Sequence, residues 1–254
     1  MNGSEIAKSG YKNEHDIVEM FNKWQDSQDA KKMLEQMGYR PDTLSMQDVK
    51  AVKIPGTVKS DIKITIKGED KFISAKKYIP TADYNHVARS SVDNYHKIFN
   101  FDQHTLQCLK VFTGEQLPCV NPAILAKDEG HIKSHKRANL REIKDEYVQS
   151  TIEFFKKNLR SIVDYIFCGN GSDGTQPDYM IITEVGDDSK YYLLPMKKVV
   201  DFYLSSGKVT LSPRGSLLIG NSITVQRKGG TGSPTNLQFK FKPSKIINEG
   251  HNNE

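Results

Sequence analysis

The stretch VKSDIKITIKGEDKFISAKKY, residues 58–78, alternates with period two along two arms that meet at Gly68-Glu69-Asp70. Such alternation marks half-buried strands, and two arms joined by a short polar turn mark a hairpin. On the first arm, 60–67, Ile62, Ile64 and Ile66 share one face, and Asp61, Lys63, Thr65 and Lys67 share the other. On the second, 71–78, Ser74, Lys76 and Tyr78 fall together. If the loop holds an even number of residues, such as Glu69-Asp70, position 65 pairs with 74 and 63 with 76. Asp61 and Lys76 then lie on one face within diagonal reach. An odd loop sets them on opposite faces.

An aspartate beside a lysine, with a small polar residue two before the lysine, suits phosphodiester cleavage. The carboxylate holds a divalent cation, which polarises a phosphate oxygen and lowers the pKa of a bound water. The lysine positions or deprotonates that water, or stabilises charge building on the phosphate. The plainer reading is a half-buried strand whose lysines are a solvated face.

A chain of 254 residues, 37% hydrophobic and 26% charged, has material for one large domain or two small ones. No apolar run reaches the length of a membrane span and the N-terminus lacks an apolar leader, so a soluble, cytoplasmic protein is expected. Cys108, Cys119 and Cys168 are far apart, with no CxxC pair, which argues against a disulfide framework or a four-ligand zinc site. His131 and His135 have i, i+4 spacing but no third ligand nearby, and read as solvated or phosphate-facing. The net charge of +5 points weakly to an anionic partner.

Residues 13–37 read as one long amphipathic helix, with Ile17, Phe21, Trp24, Met33, Leu34 and Met37 at helical spacing and Gly38 as its stop. Glu14 and Asp16 fall in its first turn, where they suit the helix dipole. Glu14, packed behind the hairpin, would also orient the lysine or a metal-bound water. After the hairpin, Pro80 breaks the strand and Thr81-Ala82-Asp83 offers a cap for a helix over 84–99. Further helices are expected over 102–112 and 139–159, with a basic stretch, HIKSHKR, at 131–137 before the second. Ile162, Val163 and Ile166 extend or restart that helix, and GNGSDGTQPD follows as a loop. Residues 178–184 and 190–194 read as paired strands and 195–204 as a helix. The tail from 208 to 243 alternates over several short strands, a ribbon carrying Gln226, Arg227, Lys228, Gln238 and Lys240. These side chains suit base edges in a major groove, and equally a basic surface hairpin.

Taken together, SGYKNEHDIVEMFNKW, KSDI with SAKK, the TGEQLP turn and SPRGSLLIGNSITVQRKGG with LQFKFKP resemble one family. It is that of the small type II restriction endonucleases that cut GCGC, within the PD-(D/E)xK superfamily and related to MutH. The resemblance covers nearly the whole chain in order. It implies an α/β fold with a mixed central sheet flanked by helices and a C-terminal β-ribbon for DNA readout. One restriction-endonuclease-like domain would then span 1–254, with the catalytic hairpin at 58–78 and recognition segments at 80–100 and 208–243.

The implied activity is Mg2+-dependent cleavage of double-stranded DNA at a short GC-rich site, with Mn2+ able to substitute. Asp61 matches the metal-binding aspartate and Lys76 the catalytic lysine. Ser74 stands where most of the superfamily has Glu or Asp and the GCGC enzyme has Gln, so the site would lean on the Ala75 carbonyl, Glu14 or waters. Tyr84-Asn85 matches an aromatic-Asn pair facing the bases, followed by His86 in place of Gln and Arg89 in place of Lys. Lys136 and Arg137 match a basic pair that would bind phosphate, and Arg214 joins the ribbon residues as a DNA contact. Implied partners are duplex DNA, a second copy or related subunit, and a cognate DNA methyltransferase. The neutral Ser74 also motivates a different class, a weakly catalytic or non-catalytic DNA-binding subunit of a heterodimeric restriction or repair nuclease.

Overall fold

Three antiparallel strands, β1 (Val49–Lys53), β2 (Ile62–Ile66) and β3 (Glu69–Tyr78), build the predicted hairpin into a sheet. The computed structural model describes residues 3–251 except 57, 81–82, 128–132, 172–173 and 229–234, with side chains from 9 to 249. Expectations for His131 and for Thr81-Ala82 therefore lie outside the described residues. So do those for the Gly-Gly-Thr-Gly break at 229–232 and part of the 169–178 loop.

The β2–β3 turn is Lys67-Gly68, not Glu69-Asp70: Thr65 pairs with Asp70 and Lys63 with Phe72. Both turn residues have positive φ, 50° and 85°, as a two-residue hairpin turn of the right twist demands, and glycine supplies one of them at no steric cost. Asp70 is then a strand residue, accepting hydrogen bonds from the Thr65 hydroxyl at 2.6 Å and Lys63 at 3.0 Å. Each partner shifts by four positions, an even number, so the faces are those expected.

The chain divides into two compact units. The first comprises Met1–Asn85, Phe167–Val200 and Pro243–Glu254. Here β5 (Tyr179–Glu184) joins β3 in parallel and β6 (Lys190–Pro195) pairs antiparallel with β5, giving a mixed sheet of order β1-β2-β3-β5-β6. The isoleucine face of β2 is wholly buried, against Ile17, Phe21, Trp24 and Leu34. These come from two helices, α1 (Gly3–Asn22) and α2 (Gln28–Gln36), and, for Trp24, from the 3-10 turn between them, where one helix was expected. The break is local chemistry: the Ser27 hydroxyl caps α2 by accepting from the Ala30 N–H at 3.1 Å. Because α1 begins at Gly3, Glu14 and Asp16 lie well inside it, not in its first turn. The Asn22 side chain takes both the N–H and the carbonyl of Ala51, at 2.8 and 3.0 Å, and so occupies hydrogen-bonding positions along β1, an edge of the sheet.

The second unit comprises His86–Ile166 and Asp201–Lys242. The predicted helix over 84–99 is instead strand β4 (Asn85–Ser90) followed by α3 (Val92–Phe99), because Ser91 caps the helix there. α4 (Gln103–Thr113) follows, capped by Asp102. The helix expected over 139–159 is a 3-10 turn, Leu140–Glu142, closed by an Asn139–Glu142 capping box, and then α5 (Asp145–Lys157). α6 (Leu159–Cys168) and α7 (Met196–Leu204) each run from one unit into the other. The ribbon strands are β7 (Val209–Leu211), β8 (Leu217–Ile219), β9 (Ile223–Arg227) and β10 (Leu237–Phe241). With β4 they make a second five-stranded sheet, β4-β10-β9-β8-β7. Phe239 of β10 packs edge-on to Tyr95 at 5.4 Å, beside Phe155, within an aromatic core. A last helix, α8 (Pro243–His251), was not anticipated.

Candidate active site

Asp61 sits one residue before β2, and its backbone is held on both sides. Its N–H donates to the Ile73 carbonyl at 2.8 Å and its carbonyl accepts from the Ile54 N–H at 3.0 Å. Continuing the β2–β3 register by one residue puts Asp61 opposite Ser74 and diagonal to Lys76. Asp61 Oδ2 accepts from the Ala75 N–H at 2.7 Å, from Lys76 Nζ at 3.2 Å and, weakly, from the Ser74 hydroxyl at 3.3 Å. Lys76 Nζ also donates to the Ala75 carbonyl at 3.0 Å. Both charged side chains are largely withdrawn from solvent, 25% exposed for Asp61 and 17% for Lys76.

The ammonium thus bridges two oxygens, one carboxylate and one carbonyl. A cation there would meet Asp61, the Ala75 carbonyl and the Ser74 hydroxyl, all oxygen donors. That set suits Mg2+, which binds through one or two carboxylates and keeps several waters. Among the described residues no three His, Cys, Asp or Glu side chains converge on one point. Glu14 is not drawn in: it is paired with Lys53 at 2.5 Å.

Sequence reasoning missed Lys59. Burial, and then the nearby Lys76, push its pKa down to about 8, while Cys168 and Asp61 pull the other way. Its stem lies so close beneath Gly169 that a Cβ on that glycine would stand 2.9 Å from Lys59 Cγ. The signal available was the tripeptide Lys59-Ser60-Asp61 itself, which puts a second cation two residues from the carboxylate.

In the second unit the β9–β10 register sets Gln226 opposite Gln238 and Lys240 opposite Thr224. By alternation these four share one face, and Arg227 projects from the other, among the core residues Val225 and Phe239. Gln238 is buried, while Gln226, Lys228 and Lys240 are half-buried. The Arg227 guanidinium lies 5.6 Å from the Phe112 ring and donates to the Ala138 carbonyl at 3.1 Å. Burial and the neighbouring Arg137 lower its pKa. Arg137 donates to the Lys228 carbonyl at 3.0 Å. Arg214, Lys136, His135 and Arg89 are exposed, as is His86. Tyr84 is 50% exposed just before β4. His86 and Arg89 fall on opposite faces of β4 by alternation.

The fold is matched by the crystal structure of restriction endonuclease MspI in complex with its cognate DNA, with a TM-score of 0.59 over 94% of this chain and 93% of that chain, at 12% identity. The family described as R.HinP1I restriction endonuclease matches residues 37–247, and the chain belongs to it. It is a type II restriction endonuclease, a site-specific deoxyribonuclease. No curated protein matches the chain.

Proposed function

We propose that the chain makes Mg2+-dependent double-strand cuts in DNA at a short GC-rich site, GCGC or a close relative. The observation that carries this reading is the Asp61 carboxylate and Ala75 carbonyl bracketing the Lys76 ammonium. When bound, Mg2+ polarises a phosphate oxygen and acidifies a coordinated water; Mn2+ shares its preference for oxygen ligands and substitutes for it. Asp61 would hold the cation, with the Ala75 carbonyl and Ser74 hydroxyl as the neighbouring oxygen donors. Lys76 turns its ammonium to the attacking water or to the charge gathering on the phosphate oxygens. Lys59 adds a second positive charge for the phosphate.

The duplex is read by Tyr84, Asn85, His86 and Arg89 and by Arg214, Gln226, Lys228, Gln238 and Lys240. Lys136 is a phosphate contact. That MspI was solved with its cognate DNA supports a duplex as partner. Cutting both strands takes two sites, from a second copy, a related subunit or a second binding event, and a cognate methyltransferase would protect the host sequence.

The test is digestion of a plasmid carrying GCGC sites, with mapping of the ends. Discrete fragments are expected with Mg2+ and none with EDTA or with Asp61→Ala. Cleavage that survives Asp61→Ala sinks the assignment of the site. Tight binding to one sequence without cleavage would favour the DNA-binding subunit that the neutral Ser74 brings to mind.

A further inference from the structure

The segment from the end of the basic stretch to α5 is stitched to the second sheet by four side chains, two of which, Arg137 and Arg227, the sequence had offered to DNA. Arg137 Nη1 donates to the Lys228 carbonyl at 3.0 Å, and Arg227 Nη1 returns the bond to the Ala138 carbonyl at 3.1 Å. Asn139 Nδ2 donates to the Arg214 carbonyl at 2.9 Å, and Arg141 Nη2 to the Ser212 carbonyl at 3.2 Å. The segment is anchored from behind by the Ala138 N–H on the Val111 carbonyl of α4 at 3.1 Å. The Asn139–Glu142 capping box fixes its shape.

Two of these bonds end on the backbone carbonyls of Arg214 and Lys228 themselves. Arg214 stands in the β7–β8 turn, and Lys228 directly follows β9, where its N–H closes the ladder on the Asn236 carbonyl at 2.8 Å. The turn at Arg214 fits Asn139 so closely that a Cβ on Gly215 would fall 1.6 Å from Asn139 Oδ1, and Gly215 has a φ of 72°. A backbone held in this way costs little to order when its side chain meets a ligand.

We infer that residues 134–142 are a brace that presets the Arg214 and Lys228 tips for the duplex. Arg137, Asn139, Arg141 and Arg227 are positioning residues of that brace and not phosphate ligands. The inference rests on the proposed reading of DNA by the second sheet. It also revises the sequence expectation that Arg137 and Arg227 themselves touch DNA.

Counterion release separates the two roles. Losing one phosphate contact lowers the slope of log K against log salt by about 0.9, whatever the sequence bound. Losing a strut leaves the slope unchanged and blurs the sequence preference. Binding would be measured in EDTA with two labelled duplexes, one carrying GCGC and one with those base pairs scrambled, between 50 and 200 mM salt (roughly the span over which such contacts show). Arg137→Gln should keep the wild-type slope and lose roughly tenfold in preference, as expected for about one poorly seated base contact. Lys136→Gln should lose about 0.9 in slope and keep the preference. Asn139→Ala, which removes no charge, should lose preference as Arg137→Gln does and speed tryptic cleavage after Arg214. A reduced slope with intact preference in Arg137→Gln overturns the brace, as does an Asn139→Ala variant with wild-type preference and wild-type proteolysis. If wild type does not distinguish the duplexes, the GCGC reading fails, and the slope with the tryptic rate still decides the brace.

Discussion

Asp61 is placed by backbone and read by side chains. Its carboxylate takes a full-strength bond from the Ala75 N–H and a long one from Ser74, so the two neighbours contribute unequally. A 3.3 Å contact from a neutral hydroxyl is worth about 0.5–1 kcal/mol. Ser74→Ala should therefore lower kcat/KM no more than about fivefold, measured by single-site cleavage of a duplex. A loss above a hundredfold would make Ser74 an essential ligand. Ser74 itself is 3% exposed, so its hydroxyl is largely withdrawn from solvent.

Caps and turns, more than propensity, set where the helices and strands stop. Ser27, Ser91 and the Asn139–Glu142 pair each divide or delay what hydrophobic periodicity had drawn as one helix. Asp102 caps α4 where that helix was expected to begin and adds a bond to α5: it accepts from the Thr105 N–H at 2.8 Å, the Thr105 hydroxyl at 2.7 Å and the Ser150 hydroxyl at 3.0 Å. Burial raises its pKa, but these donors outweigh burial and hold the carboxyl below its ordinary value. A carboxyl depressed in the folded state stabilises above its unfolded pKa, and that share is lost as pH falls through the folded one. Asp102→Ala should cost about 1 kcal/mol at neutral pH. Urea unfolding should show the gap from wild type narrowing below about pH 4. A gap that widens on acidification would contradict the sign.

The two units present their chemistry differently: the first offers one carboxylate, one carbonyl and a lysine at its sheet with a second lysine in the preceding loop, the second a polar strand face and two braced basic tips. The second depends on close backbone packing. A Cβ on Gly220, which has a φ of 52°, would stand 2.0 Å from the Tyr203 carbonyl of α7, the same carbonyl that accepts the Asn221 N–H at 2.7 Å. Gly220→Ala should cost about 2–4 kcal/mol, combining left-handed strain with overpacking, and should lower the midpoint of thermal unfolding. An unchanged midpoint would mean that the turn moves without cost.

The alternation of 58–78 placed Asp61 and Lys76 on one face for any even loop, and the structure supplied one: the turn moved by two residues, every partner by four, and the faces held. Family motifs spread over the chain were enough to foresee the mixed sheet and the ribbon. Three things were not legible. Glu14 paired with Lys53 because β1, a strand distant in sequence, brings that lysine to α1. Lys59 is visible two residues before Asp61, but its packing against Gly169 is encoded by no local pattern. Arg137 and Arg227 each donate to a carbonyl from a segment about 90 residues away, a partner that charge and spacing do not reveal. Local spacing determines which face a side chain takes; what that side chain meets there is set by contacts between distant segments, which spacing does not record.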